Sequence, residues 1–503
     1  MEKYLVGLDN GGTNIKAIVF DIEGKVISQY SLKTPILTPE PGFTERDMED
    51  LWLKNCECVR NAVSNSGVDV ENIVGLAISG HGKGLYAWGK DNRPAYNGIA
   101  STDNRAWRFP EKWKRDGTFE ENYPKLCQNI LASQQLALLA WFKEHRPEVY
   151  RNIQYVFSAK DYLRFRFTDE AYSEVTDISG SGLLNVRDRI FDLELLESFG
   201  IGEIYECLPP LKYSYEPCGV VTRSAADLCG LAQGTTVGGG MFDIDACAIA
   251  MRVLEPEDLI TISGTWSINE YISKTPVIRH ENRMMNSLYA IPGYYLIEES
   301  SATSAGNLEW IIDELLSDIE VPEGTNIYAI IESLIQAESE MDSDVYFLPF
   351  LYASNTHPLG KASFIGMTSF HSKADLLRAV YEGVAFSHRM HLERLIATRE
   401  RPERIRLAGG VTNSKFWTQL FADVIGYPLE TVEVKELGSL GAAISASVAS
   451  GVYEDYQTAC AKMTEKGSVI MPDASMRQIY ERKYQKYVAI CEALNGVWDQ
   501  FTV

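Results

Sequence analysis

Several short stretches of this chain carry residue types suited to chemistry. Asp9-Asn10-Gly11-Gly12-Thr13-Asn14 sets a carboxylate beside two glycines. Glycines let backbone N–H groups approach an anion closely, and consecutive N–H groups in a turn form a nest for phosphate. A carboxylate next to such a nest is what a phosphate-bound magnesium ion needs. An ordinary hairpin would use the same residues, with Lys16 as a solvated strand residue. Gly238-Gly239-Gly240-Met241-Phe242-Asp243-Ile244-Asp245 places two acids after a glycine run where a strand should meet a helix. At the positive end of a helix dipole either acid could accept a proton or fix a hydroxyl, and either could simply cap the helix. Gly409-Gly410-Val411-Thr412-Asn413 closes a strand with flat backbone and one amide, which suits a purine and equally suits a plain turn. His81 and Lys83 in Ser79-Gly80-His81-Gly82-Lys83-Gly84, and Asp103 and Arg105 in Ser101-Thr102-Asp103-Asn104-Arg105, are polar clusters fit for a small polar ligand or for solvent. Neither a P-loop nor a dinucleotide-type glycine fingerprint occurs. His388 and His391 lie three residues apart with no evident third metal ligand, and they read as structural.

These groups need a scaffold, and hydrophobic periodicity supplies one. Residues 4–8, 15–20 and 26–32 read as three strands joined by the glycine turn and by Asp21-Ile22-Glu23-Gly24-Lys25. A helix is expected over 49–64 and a buried strand over 73–78, an α/β order. Halfway along, residues 259–263, the turn Gly264-Thr265-Trp266-Ser267 and residues 268–272 repeat the strand–glycine–threonine–strand unit, which fits duplication and equally fits coincidence, since short glycine hairpins are common. Further helices are expected at 375–395, from 413 or 414, at 440–449 and at 476–494, with a strand at 405–408.

Composition bounds what such a scaffold can serve. With 69 Asp and Glu against 47 Lys and Arg among 503 residues, the net charge is −22, which argues against nucleic acid or an anionic membrane as the main partner. No basic block appears. A hydrophobic content of 45% supports full cores and a length of this order supports two or more domains. The nine cysteines include no C-x-x-C pair, so reduced thiols in a cytoplasmic setting are expected, with neither leader nor membrane span.

The glycine hairpin, its echo at Ile262-Ser263-Gly264-Thr265-Trp266 and Gly409-Gly410-x-x-Asn413 together resemble the nucleotide-binding elements of the actin, hexokinase and chaperone superfamily. Ala362-Ser363-Phe364-Ile365-Gly366-Met367, followed by Asp375-Leu376-Leu377-Arg378-Ala379-Val380-Tyr381-Glu382, is similar to the C-terminal signature of the FGGY carbohydrate kinases. In the second signature Trp141-Phe142-Lys143-Glu144-His145 is in place, and Leu138 stands where that pattern has lysine. Within the family the chain most resembles the L-xylulose (3-keto-L-gulonate) kinases, through Pro41-Gly42-Phe43-Thr44-Glu45-Arg46-Asp47-Met48, Gly82-Lys83-Gly84-Leu85 and Gly306-Asn307-Leu308-Glu309-Trp310 among others.

The resemblance implies two ribonuclease-H-like α/β domains with a cleft between them, spanning 1–248 for sugar and base and 249–503 for nucleotide. It also implies a hinge near 248–258 and a terminal helix that packs back on the first domain. The implied reaction is transfer of phosphate from ATP to a terminal primary hydroxyl of a ketose, with D-xylulose, gluconate or glycerol as alternative acceptors. An actin-like or chaperone-like ATPase is the alternative of another class. By the same resemblance Asp243 is the general base, Asp9 helps hold Mg2+, and Gly11, Gly12, Thr13 and Asn14 approach the moving phosphate. Gly264 and Thr265 form the second phosphate loop, and Gly409, Gly410 and Asn413 border adenine and ribose. His81, Lys83, Asp103, Arg105 and Asp245 are implied sugar contacts, and a homodimer is the implied assembly.

Overall fold

The apolar runs fold as the periodicity requires, into two sheets that open with the same unit. The computed structural model describes residues 2–281, 283–432, 434 and 436–501. In the first sheet Tyr4–Asn10 pairs antiparallel with Asn14–Asp21, which pairs antiparallel with Val26–Lys33. On its other side Tyr4–Asn10 lies parallel to Ile73–Gly80, next to Thr236–Gly238 and Met241–Phe242. Leu5, Val6, Leu8, Ala17, Ile18 and Val19 are fully enclosed, so both faces of the hairpin are covered. In the second sheet Leu259–Ser263 pairs antiparallel with Ser267–Ser273 and parallel with Ile405–Gly409, which continues to Leu429–Thr431. Strand, glycine turn, antiparallel strand and a parallel neighbour thus occur twice, in the same order.

The chain forms two compact units, one comprising Met1–Leu254, Ile272–Ile297 and Glu436–Glu465, the other Glu255–Tyr271, Glu298–Lys435 and Lys466–Val503. These units differ from a single cut at residue 248 because two later segments return to the first. The helix Leu437–Ala449 lies across the first sheet so closely that a Cβ on Gly7 would stand 1.9 Å from the Ser439 carbonyl oxygen, and one on Gly441 2.1 Å from that of Ala246. Asn286 ties the other segment in, donating from Nδ2 to the Cys127 carbonyl at 2.7 Å.

The terminal helix Arg477–Trp498 belongs to the second unit. Its anchor is a buried ion pair, Lys483 Nζ to Glu382 Oε2 at 2.5 Å, with Tyr480, Tyr484 and Tyr487 around the Phe386 ring. Glu382 lies on the long helix Lys373–Ile396, whose first turn is closed by a capping box between Ser372 and Asp375. Two acids of the C-terminal signature therefore serve the fold. The nine cysteines are free thiols. Among the described residues no helix is long and apolar enough to cross a membrane.

Candidate active site

In the first unit the candidate groups gather at the carboxyl ends of three neighbouring parallel strands, where ligands of α/β sheets characteristically sit. Register explains the gathering: Asp9 stands opposite Ser79, Asn10 opposite Gly80, and Phe242 also opposite Gly80, so Asp9 and Asp243 reach the same end of the sheet from the two strands that flank Ile73–Gly80. Asp243 opens the helix Asp243–Ala250, whose N-cap is Phe242, so neither Asp243 nor Asp245 stands at the N-cap position. Burial, reinforced by the negative charges of Asp9 and Asp177, holds the Asp243 carboxyl well above the usual carboxylate range, and Lys83 opposes them. Asp245, in the first turn of the same helix, is fully buried.

Asp9 is raised as well, first by burial, with the Ser79 hydroxyl donating to Oδ1 at 2.7 Å and pulling the other way. Gly438, near the start of Leu437–Ala449, leaves just enough room for this carboxylate, since a Cβ there would lie 2.8 Å from Asp9 Oδ2. Lys16 is committed to Glu436 at 2.6 Å. The turn at 11–14 is closed by Gly11 N–H donating to the Asn14 carbonyl at 3.0 Å, and Gly12, Thr13 and Asn14 are exposed. Its outer carbonyls are held by Arg46, a buried guanidinium that donates to Gly12 O and, at 3.5 Å, to Gly11 O.

The loop carrying His81 and Lys83 is pinned by contact. A Cβ on Gly82 would stand 2.5 Å from the Phe242 ring, and one on Gly84 2.3 Å from the Ile99 carbonyl. Lys83 between them adopts φ 64°, a left-handed conformation rare for lysine and typical of strained functional loops. His81 is buried and its ring contacts the Tyr86 hydroxyl at 3.2 Å. Burial first, and the nearby Arg46 charge second, push its pKa down to about 3, so it is a neutral hydrogen-bonding group. Asp103 and Arg105 are brought together and turned on each other: Arg105 Nη2 donates to Asp103 Oδ2 and to Glu45 Oε1, both at 2.8 Å. Asp103 in turn accepts from the Thr44 N–H at 2.7 Å. This pair braces the 43–46 segment that presents Arg46.

Arg46 and Asp177 are the functional neighbours that spacing does not reveal. Asp177 is buried in the helix Val175–Ser179, held beside Phe242 by the Phe242 N–H donating to Thr176 Oγ1 at 2.9 Å. Burial pushes Asp177 up to about 7 despite Lys160 at 3.8 Å. Arg46 falls within the Pro41 to Met48 stretch that carries the family likeness, which is the sequence signal that points to it.

In the second unit Ser263 stands opposite Gly409, so the Gly264-Thr265 turn and Gly410 to Asn413 share one end of the parallel pair. Thr265, Gly410 and Asn413 are exposed. The helix Gly306–Leu315 starts beside the turn, with Ala305 N–H donating to Gly264 O at 3.0 Å, so its positive end faces the same place. Beneath, neutral His388 joins Thr261 and Ser304, each at 2.8 Å, and Ser304 joins Ser263 at 2.9 Å. This is a buried brace, as the spacing of His388 and His391 suggested.

The glycines divide into two kinds. Gly409 is required by the fold, with φ 98° and a would-be Cβ 2.3 Å from Ser263 O. Gly12 and Gly410 have no heavy atom within 4 Å of a would-be Cβ and no left-handed backbone, and at Gly264 the nearest is Trp266 O at 3.9 Å. The fold asks for glycine at none of these three, so the bare backbone there is left open to a ligand.

A duplicated sheet unit with acids at the strand ends of one copy and open glycine turns in both is the layout of a sugar kinase. Residues 4–250 match the N-terminal domain, and residues 259–450 the C-terminal domain, of the FGGY family of carbohydrate kinases, and the chain belongs to that family. It is 36% identical over 496 residues to the L-xylulose/3-keto-L-gulonate kinase of Escherichia coli K12, covering 99% of this chain and 98% of that one. It is 35% identical to a probable L-xylulose kinase of Pasteurella multocida, covering 98% and 99%. Among solved structures, the gluconate kinase of Lactobacillus acidophilus superposes with a TM-score of 0.90 at 23% identity over the whole of both chains. The fold is the two-domain α/β fold of sugar kinases, and the protein is a carbohydrate kinase.

Proposed function

We propose that the enzyme phosphorylates L-xylulose or a related pentulose or keto-sugar acid at a terminal primary hydroxyl, with ATP as donor. The choice of sugar is supported by the 34–36% identity to three relatives named as established or probable L-xylulose kinases over nearly their whole length. The observation that carries the chemistry is Asp243, at a helix start and raised by burial and by Asp9. A carboxyl so tuned takes a proton more readily than an ordinary aspartate once ionised, which is the task of a general base.

In this reading the sugar hydroxyl gives its proton to Asp243 as its oxygen bonds to the γ-phosphorus. The bond from that phosphorus to the β,γ-bridging oxygen breaks, and ADP leaves with the electron pair. Phosphoryl transfer asks for alignment and charge neutralisation more than covalent help. The N–H groups of Gly11 to Asn14 and of Gly264 and Thr265 would bind phosphate oxygens, and Gly410 and Asn413 would border the adenosine. Lys83 and neutral His81 would hold sugar oxygens, while Arg105 and Asp103 would act by holding the 43–46 segment. Two carboxylates raised first by burial, Asp9 and Asp243, fit a divalent cation nearby, and among the described residues no group of three or more His, Cys, Asp or Glu side chains forms a protein-only cage. Mg2+ bound through Asp9, with water and phosphate completing its shell, would supply charge neutralisation on the phosphates. The nine free thiols fit a reducing compartment, the cytoplasm.

The test is ADP release coupled to NADH oxidation with L-xylulose, 3-keto-L-gulonate, D-xylulose, gluconate and glycerol. L-Xylulose or 3-keto-L-gulonate should give the highest kcat/KM, and no rise over background with either would remove the substrate assignment.

A further inference from the structure

The first unit contains a cavity, about 610 Å3 in volume, which Arg105 lines and none of Asp9, His81, Lys83 and Asp243 does. One wall is the helix Arg108–Arg115, which turns Pro110 and Trp113 inward. Arg108, Lys112 and Arg115 recur at intervals of four and three, so they form one stripe, and all three line the cavity. The helix's ion pair, Glu111 with Lys114 at 3.6 Å, leaves that stripe out. Arg146 also lines the cavity, as do the carboxylates of Glu40 and Glu144. Lys112 and Arg115 also act on Asp116, whose carboxylate is engaged by the Thr118 hydroxyl at 2.7 Å.

Aromatic surface accompanies the charge. Trp107, 50% exposed, stands at the head of the cationic helix with the Arg108 guanidinium 5.4 Å from its ring centroid. Arg105 lines the inner side, its guanidinium 4.1 Å from the Phe43 ring centroid and 5.2 Å from that of Trp141. Asp103 and Glu45 occupy its Nε and Nη2, but the buried Nη1 has no hydrogen-bond partner. Five cations and two carboxylates line the cavity, so its lining is net positive within a chain of net charge −22, a local potential that favours an anion there.

We propose that this cavity is a binding site for a small organic phosphate with a ring-shaped body, the phosphate on the Arg108, Lys112 and Arg115 stripe and the ring against Trp107. Sugar phosphates and nucleoside monophosphates share that chemistry, and Arg suits phosphate through its planar fork of donors. The phosphate stripe is independent of the sugar assignment, because none of Arg108, Lys112 and Arg115 takes part in phosphoryl transfer as proposed above.

Calorimetric titration at low salt with ribose 5-phosphate, AMP and inorganic phosphate, on wild type and on R108Q/K112Q/R115Q, tests it. Wild type should take up one equivalent of ribose 5-phosphate or of AMP, at least tenfold tighter than inorganic phosphate, that the triple variant lacks, and whichever binds tighter identifies the source. Sugar turnover of the triple variant should stay within twofold of wild type. Trp107→Ala should weaken the organic phosphate and spare the inorganic one. Identical isotherms for wild type and the triple variant, inorganic phosphate binding as tightly as both organic ones, or no effect of Trp107→Ala would each overturn the proposal.

Discussion

Replacing Gly12 by alanine separates a ligand's requirement from the fold's. No heavy atom lies within 4 Å of the added methyl and the backbone is not left-handed, so stability should move by no more than about 0.5–1 kcal/mol in either direction. In the proposed reading the methyl would nevertheless stand where phosphate oxygens reach backbone N–H groups. Losing one hydrogen bond to a charged group costs about 1.5–3 kcal/mol, which is about 10- to 100-fold in kcat/KM for ATP. Gly410→Ala should behave alike, with the loss in nucleotide affinity. Gly7→Ala is the counterpart, because its methyl would lie 1.9 Å from the Ser439 carbonyl oxygen. Overpacking there should cost about 1–3 kcal/mol, a drop in Tm of several degrees for a unit of this size. Thermal unfolding and steady-state kinetics on the three variants check this. If Gly12→Ala kept full activity, or melted as low as Gly7→Ala, the reasoning from open space would be refuted.

The buried charges give two further expectations. Because the Asp243 pKa is higher folded than unfolded, the folded state binds more protons between about pH 4 and the raised value, and stability falls as pH rises through that window. Asp243→Asn removes this loss, so its stability should exceed that of wild type at neutral pH, by about 1.4 kcal/mol for every pH unit of that window, and converge with it at pH values below the unfolded pKa; urea titrations at pH values of about 4 and 7.5 would show it. Arg46→Met should lower stability by about 1.5–3 kcal/mol and raise the His81 pKa from about 3 while leaving it below 6.5, since burial is the larger cause; ring NMR reads the change.

What the sequence disclosed and what it withheld have physical reasons. The strands around Asp9 and Gly264 were legible because enclosed strands read as continuous apolar runs broken by glycine turns. The choice between Asp243 and Asp245 was not, since both fall in one helical turn and only tertiary surroundings tell them apart. Gly409 and Gly410 look alike in sequence, yet the first is fixed by a left-handed backbone and the second is open. Arg46 meets Gly12 from 34 residues away and Lys16 meets Glu436 from 420, distances over which local pattern carries no signal. The unit that holds the terminal helix is hidden for the same reason: its anchor, Lys483 to Glu382, is tertiary. No basic block exists in sequence, and the cationic stripe appears only when positions 108, 112 and 115 are wound onto one helix.

The central claim is that Asp243 is the base of a sugar kinase. Measuring kcat and sugar KM for Asp243→Asn by coupled ADP release, with L-xylulose as acceptor, tests it most directly. Loss of a general base predicts a kcat lower by about 10²- to 10⁴-fold with KM little changed, in a protein at least as stable as wild type. A variant turning over sugar within a few-fold of wild type would contradict the account.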